Sequence, residues 1–217
     1  MEELRRSAKD LAFVNLFVPL LIMAMALFSL GTLAPIRIDG IKWHVFFMTM
    51  IQFVAYLPFF LLWFRFLDAL KNSYQSNETI VTAVKLGKAA MIIRIIAIVI
   101  GVIASIAAVT SRSLFAGSVN MKFIGMCPNS RVEFVFEAFS LLSFVIIAVM
   151  YLLLSENTEN KSGMKYITLA LAALPIVAYI TVSREEASFL WSIVQMAYYL
   201  IEFLFLYRIY KGFEFKS

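Results

Sequence analysis

The sequence predicts an all-α protein, a polytopic transmembrane bundle of about six helices with both termini in the cytoplasm. Three observations carry that expectation. The 217-residue chain is 62% hydrophobic and 15% charged, with a mean hydropathy of +0.87, against about 45–50% apolar and about 25% charged for a soluble domain. Six apolar segments each approach or exceed the roughly 20 residues that span about 30 Å of hydrocarbon. The basic residues collect between those segments, more on one side than on the other.

The segments are residues 11–33, 43–66, 89–110, 134–154, 164–182 and 187–210. Helices are expected because hydrocarbon offers backbone amides no partner. One domain accounts for the whole length, since no polar stretch is long enough to fold by itself. Twelve basic residues, from Arg5 to Lys216, fall on the side of the termini, and six, from Arg37 to Arg184, on the other. The positive-inside rule then places both termini in the cytoplasm of a multi-pass cell-membrane protein. The net charge of +5 follows from this placing of basic residues at helix ends, so direct nucleic-acid contact is not expected.

Connections between the segments differ in length. Residues 37–42 and 183–186 make short turns that force antiparallel neighbours. Residues 68–88 form a longer cytoplasmic connection, in which Ser76 or Asn77 is placed to cap a helix that begins near Thr79 and runs into the third span. Pro19, Pro58 and Pro175 lie inside apolar segments, where each removes one helix hydrogen bond. Leu62-Trp63-Phe64-Arg65-Phe66 and Phe205-Leu206-Tyr207-Arg208-Ile209 close the second and sixth segments alike. An interfacial anchor and an internal repeat both account for that echo.

Charged residues within apolar segments are the sharpest functional signal, because burying a charge there costs at least about 2.5–3.5 kcal/mol. Arg94 lies six residues past Lys88, and Glu202 six residues before Arg208. At 1.5 Å per residue each is about 9 Å below the boundary. Equal depth allows an Arg94–Glu202 pair that brings the third and sixth helices into contact. Two other readings stay open: Arg94 snorkelling alone to the surface, and a role for these charges in binding or proton movement. Gln52, Gln195 and Asn15 are further polar positions, suited to interhelical hydrogen bonds. Arg94, Glu202, Gln195 and Gln52 therefore form the candidate intramembrane polar pair or binding site.

Enzyme chemistry finds little support. His44 is the single histidine and Cys127 the single cysteine, which excludes a two-histidine metal site and an internal disulfide. No catalytic triad pattern, HExxH, P-loop or GxGxxG occurs. Glu133 and Glu137 stand one turn apart at a helix start; a carboxylate pair can bind a cation or share a proton, and at a helix N-terminus it also favours the dipole, the reading preferred here. No catalytic residue, metal or cofactor is expected.

Residues 43–103 carry one further pattern. Pro58-Phe59-Phe60 lies within the span, followed by Phe66-Leu67-Asp68-Ala69-Leu70-Lys71, a polar turn ending Ser76-Asn77-Glu78, and Leu86-Gly87 on the next helix. This stretch resembles the YoaS-like family of bacterial multi-pass membrane proteins, a domain of unknown function. Members usually have Gly and Phe before that serine, where this chain has Asn72-Ser73-Tyr74-Gln75, and about four spans rather than six. The resemblance implies a bacterial inner-membrane protein linked to a small DNA-binding regulator, and no activity.

The sequence thus points to a non-enzymatic interaction or regulatory component, with lipid around it and a protein partner at the cytoplasmic face, residues 68–88. The alternative is a small transporter, or its substrate-binding subunit, taking a small-molecule substrate at Arg94, Glu202 and Gln195.

Overall fold

The computed structural model describes the backbone of residues 1–32, 38–110, 130–158, 163–182 and 188–216, and the side chains of 1–17, 54, 56–100, 102–103, 138–139, 141–158, 163–177 and 196–216. The described residues form six helices and no strand: α1 (Glu2–Thr32), α2 (Ile38–Ser73), α3 (Glu78–Thr110), α4 (Ser130–Glu156), α5 (Gly163–Val182) and α6 (Ser188–Tyr210).

Each helix packs against its neighbours in sequence, and α6 closes against α1, so the six form a ring. Short connections explain the sequential neighbours, except α3 and α4, whose connection runs from 111 to 129 and whose pairing rests on packing. Closure between the first and last helices has no such local cause, and packing must supply it. Among the described residues no other pair of helices meets backbone to backbone. The expected contact between the third and sixth helices is therefore not formed: α3 and α6 stand on opposite sides of the ring. Depth along the axis is shared by all six helices, so it carries no information about which two are adjacent.

A second expectation is also corrected. Among the described residues, no helix is long and apolar enough to cross a membrane. This overturns the expected six membrane spans, the lipid-embedded bundle and the multi-pass cell-membrane location.

Large side chains of the even-numbered helices fill the ring. Trp63 and Phe66 of α2, Tyr151 of α4 and Phe205 of α6 are all buried. Phe205 meets Phe66 and Tyr151 edge-on, at centroid separations of 6.5 and 5.5 Å, an arrangement that the ring quadrupoles favour. Gly87 of α3 lets its neighbours close in. A Cβ there would lie 2.6 Å from Met150 Sδ on α4 and 3.1 Å from a Leu67 methyl on α2.

One end of the ring is tied off by the C-terminal segment. Helix α6 stops at Gly212, whose φ of 101° is a left-handed conformation. The Gly212 N–H donates to the Ile209 carbonyl and the Phe213 N–H to the Arg208 carbonyl, both at 3.0 Å, which is the Schellman ending. The chain then turns back over the bundle. Phe215 is buried against Tyr74, Phe205 and Phe213, and its N–H donates to the Tyr74 hydroxyl at 2.9 Å. The Lys216 N–H donates to the Asn157 carbonyl at 2.9 Å.

Asn77 joins three pieces of chain at this end. Its Oδ1 accepts from the Ile80 N–H at 3.1 Å, capping α3, as the sequence expected of this residue or its neighbour. Its Nδ2 donates to Asn157 Oδ1 at 2.8 Å and to the Lys216 carbonyl at 3.0 Å. An Arg5–Glu214 ion pair at 3.4 Å puts the two chain ends together, while Lys88 pairs with Asp68 between α3 and α2. Exposed pairs of this kind contribute only about 0–1 kcal/mol.

Candidate functional site

Glu202 is the buried carboxylate of the ring interior, only 2% exposed. Its Oε1 accepts two hydrogen bonds, from the Tyr151 hydroxyl at 2.8 Å and the Tyr198 hydroxyl at 2.9 Å. Tyr198 precedes it by one helical turn, so the α-helical period alone puts the two side chains on one face. Tyr151 arrives from α4, a helix that does not touch α6 through its backbone. The pair therefore reaches across the interior. Hydrogen bonds to a charged group contribute about 1.5–3 kcal/mol each, and to a neutral one about half that.

The second carboxyl oxygen is different. Glu202 Oε2 is buried with no hydrogen-bond partner. Asn15 of α1 is adjacent, but its Nδ2 donates to the Tyr199 carbonyl at 3.3 Å, and its buried Oδ1 is also without a partner. Trp63 Nε1 is a third buried polar atom with none. Burial pushes the Glu202 carboxyl above the usual carboxylate range, against the pull of the two tyrosine hydrogen bonds, the Arg94 charge and the Asn15 amide. Burial and the Glu202 charge push the Tyr151 and Tyr198 hydroxyls well above the usual phenol range.

Arg94 lies elsewhere on the inner surface. Its Nε donates to Ser143 Oγ on α4 at 3.1 Å, and its guanidinium sits over the Phe144 ring, 5.1 Å from the centroid. Ser143 passes the bond on to the Ala90 carbonyl, at 3.3 Å, one turn back on α3. Among the described residues no ion pair joins Arg94 to Glu202; Arg5 pairs with Glu214, Arg65 with Asp10 and Lys88 with Asp68. Arg94 still acts on Glu202 through its field.

Of the residues singled out from the sequence, Glu202 and Asn15 come together, and Arg94 faces them without contact. The side chains of Gln52 and Gln195 lie outside the described residues. So do those of Pro19, His44, Cys127, Glu133 and Glu137, and the connections at 33–37 and 183–187. Sequence reasoning missed Tyr151, Tyr198 and Ser143. Tyr198 carries a signal, its four-residue spacing to Glu202. Tyr151 and Ser143 carry none, since only the packing of α4 beside α3, and of Tyr151 across the ring, brings them to these charges. Among the described residues, no three His, Cys, Asp or Glu side chains gather where a metal ion could sit.

Comparisons with protein families, with curated proteins and with solved structures find no match for this chain. The resemblance of residues 43–103 to the YoaS-like family thus adds neither a family assignment nor a site residue.

Proposed function

We propose that the protein is a non-enzymatic interaction component that works through a partner protein. The observation that carries this reading is how the interior polar groups are used. Arg94 and Ser143 bind α3 to α4, Glu202 and Tyr151 bind α6 to α4, and Asn15 binds α1 to α6. These groups are committed to holding helices together. No nucleophile stands beside a base among them, as nucleophilic catalysis would require.

The outer surface supports the same reading. Phe13 of α1, Leu61 of α2, Ile103 of α3 and Leu200 of α6 are 71, 63, 60 and 54% exposed, and α4 and α5 add Leu142 and Ile176. Exposed apolar residues on every helix offer surface that a partner could cover where they lie together. The polar contact face is the tied-off end around residues 68–88, where Asn77 and Tyr74 already hold the C-terminal segment and leave Lys71 and Lys85 outward.

A second reading, a substrate-binding component, draws on the unpartnered Glu202 Oε2 and Asn15 Oδ1. Native mass spectrometry of the purified full chain separates the two. The interaction reading expects a stoichiometric second protein, lost when Lys71 and Lys85 are changed to Glu. A homogeneous single chain carrying a small molecule overturns it in favour of substrate binding.

A further inference from the structure

We propose that Glu202 is a proton-binding site: its buried carboxyl, held between the Tyr151 and Tyr198 hydroxyls and Asn15, carries a proton at neutral pH. The inference goes beyond the interaction reading and does not depend on it.

The bonding pattern points there first. Both hydroxyl donors converge on Oε1, while Oε2 receives nothing. In an ionised carboxylate the two oxygens are equivalent, and donors gather on both. In a carboxylic acid the carbonyl oxygen accepts and the hydroxyl donates, and the buried Asn15 Oδ1 beside Glu202 is an acceptor without a partner. Oε1 thus has the bonding of the carbonyl and Oε2 that of the hydroxyl. A buried carboxylate with one bare oxygen and no cation in contact would bear the full cost of desolvation. A proton on Oε2 removes that charge.

The surroundings decide which cation the site takes. Metal ions of the calcium or magnesium kind ask for six or more oxygens, and only Oε2 and the neighbouring Asn15 Oδ1 are unbonded near the carboxyl. Both residues are almost wholly buried. A proton needs one oxygen and no added room.

Other charges around Glu202 explain why the proton can leave. On α6 itself stand Tyr198 and Tyr199. Neighbouring α1 presents Asn15 near the carboxyl, and its ionisable groups, Glu2 to Asp10, lie toward the tied-off end. Neighbouring α5 has only Lys165 and Tyr166 among its described ionisable side chains, both in its first turn at that same end. From α2 comes Tyr56, hydrogen-bonded with Tyr199; from α4, Tyr151. Arg94 of α3 is the one cation that acts on the carboxyl through the interior.

Infrared difference spectroscopy of the full chain across a pH series tests this. The expected result is an acid carbonyl band, from one carboxyl per chain, that persists at neutral pH and is absent in Glu202→Gln. Tyr151→Phe removes a donor from Oε1, and the band is expected to move to higher frequency. The wild type alone also bears on the claim, since no exposed carboxylate stays protonated at neutral pH; a wild-type spectrum with no acid carbonyl band there overturns the proposal even if the variants do not fold. A band that survives in Glu202→Gln overturns it as well.

A stability profile supplies a second readout. The folded-state pKa of Glu202 lies above its unfolded value, so the folded chain holds the proton more tightly. Its contribution is complete below the unfolded pKa and is lost as pH rises through the folded value. Wild type is therefore expected to weaken relative to Glu202→Gln as pH rises through that window. A wild type that strengthens relative to the variant overturns the proposal.

Discussion

Replacing Phe215 with alanine is expected to loosen the whole tied-off end. The residue lies past the last helix, beyond Gly212, yet it is 4% exposed. Its ring packs edge-on against Tyr74 and Phe213, at centroid separations of 5.7 and 5.3 Å, and tilted against Phe205 at 6.4 Å. Truncating a buried phenylalanine costs about 3–5 kcal/mol, cavity included. A terminal segment relaxes more freely than a helix core, which puts the loss near the lower figure, about 3 kcal/mol. At about 2–4 °C per kcal/mol for a chain of this size, the melting temperature falls by roughly 6–12 °C. Thermal unfolding followed by circular dichroism measures this, with Lys216→Ala as the control. The Lys216 side chain is exposed and its bonds are made by the backbone, so that variant stays within about 0.5 kcal/mol of wild type. A loss below about 1 kcal/mol for Phe215→Ala would show that the segment merely lies on the surface.

Two further substitutions probe the packing that positions the site. Asn77→Ala removes the cap of α3 and two bonds to Asn157 and Lys216, for a loss of about 2 kcal/mol in denaturant titration, whereas Asn77→Asp keeps the capping oxygen and loses about half as much; equal losses would contradict the division of roles. Gly87→Val drives a side chain into Met150 and Leu67, costing about 1–3 kcal/mol. Adding Met150→Ala should make the double variant less unstable than the sum of the two single losses, and simple additivity would count against the close approach of α3 and α4.

How much of this was legible in the sequence differs from residue to residue. Helices were, because long apolar runs bounded by charges leave few other options. The cap at Asn77 was legible too, since a side-chain acceptor ahead of Glu78 is a local signal that the fold need not supply. Glu202 stood out as a lone acid in an apolar run. Its partners did not: Tyr151 is 51 residues away, and a hydroxyl among aromatic side chains has no pattern of its own. The match in depth between Arg94 and Glu202, counted along the chain, said nothing about position around the ring, where α4 takes Arg94 through Ser143. The membrane spans were read from apolar counts along the chain, whereas among the described residues no helix is long and apolar enough to cross a membrane. Phe213 and Phe215 alternate just past Gly212, a faint sign of a segment folded back, but only the contact with Tyr74 gives it meaning.

The central claim is that Glu202 ties α6 to α4 across the interior of the ring. A double-mutant cycle on Tyr151→Phe and Glu202→Leu, read in unfolding free energies, tests it most directly. The hydrogen bond at 2.8 Å predicts a coupling of about 1–3 kcal/mol between the two positions. Losses that add to within about 0.5 kcal/mol would mean that the two side chains do not act on each other, and would contradict the account.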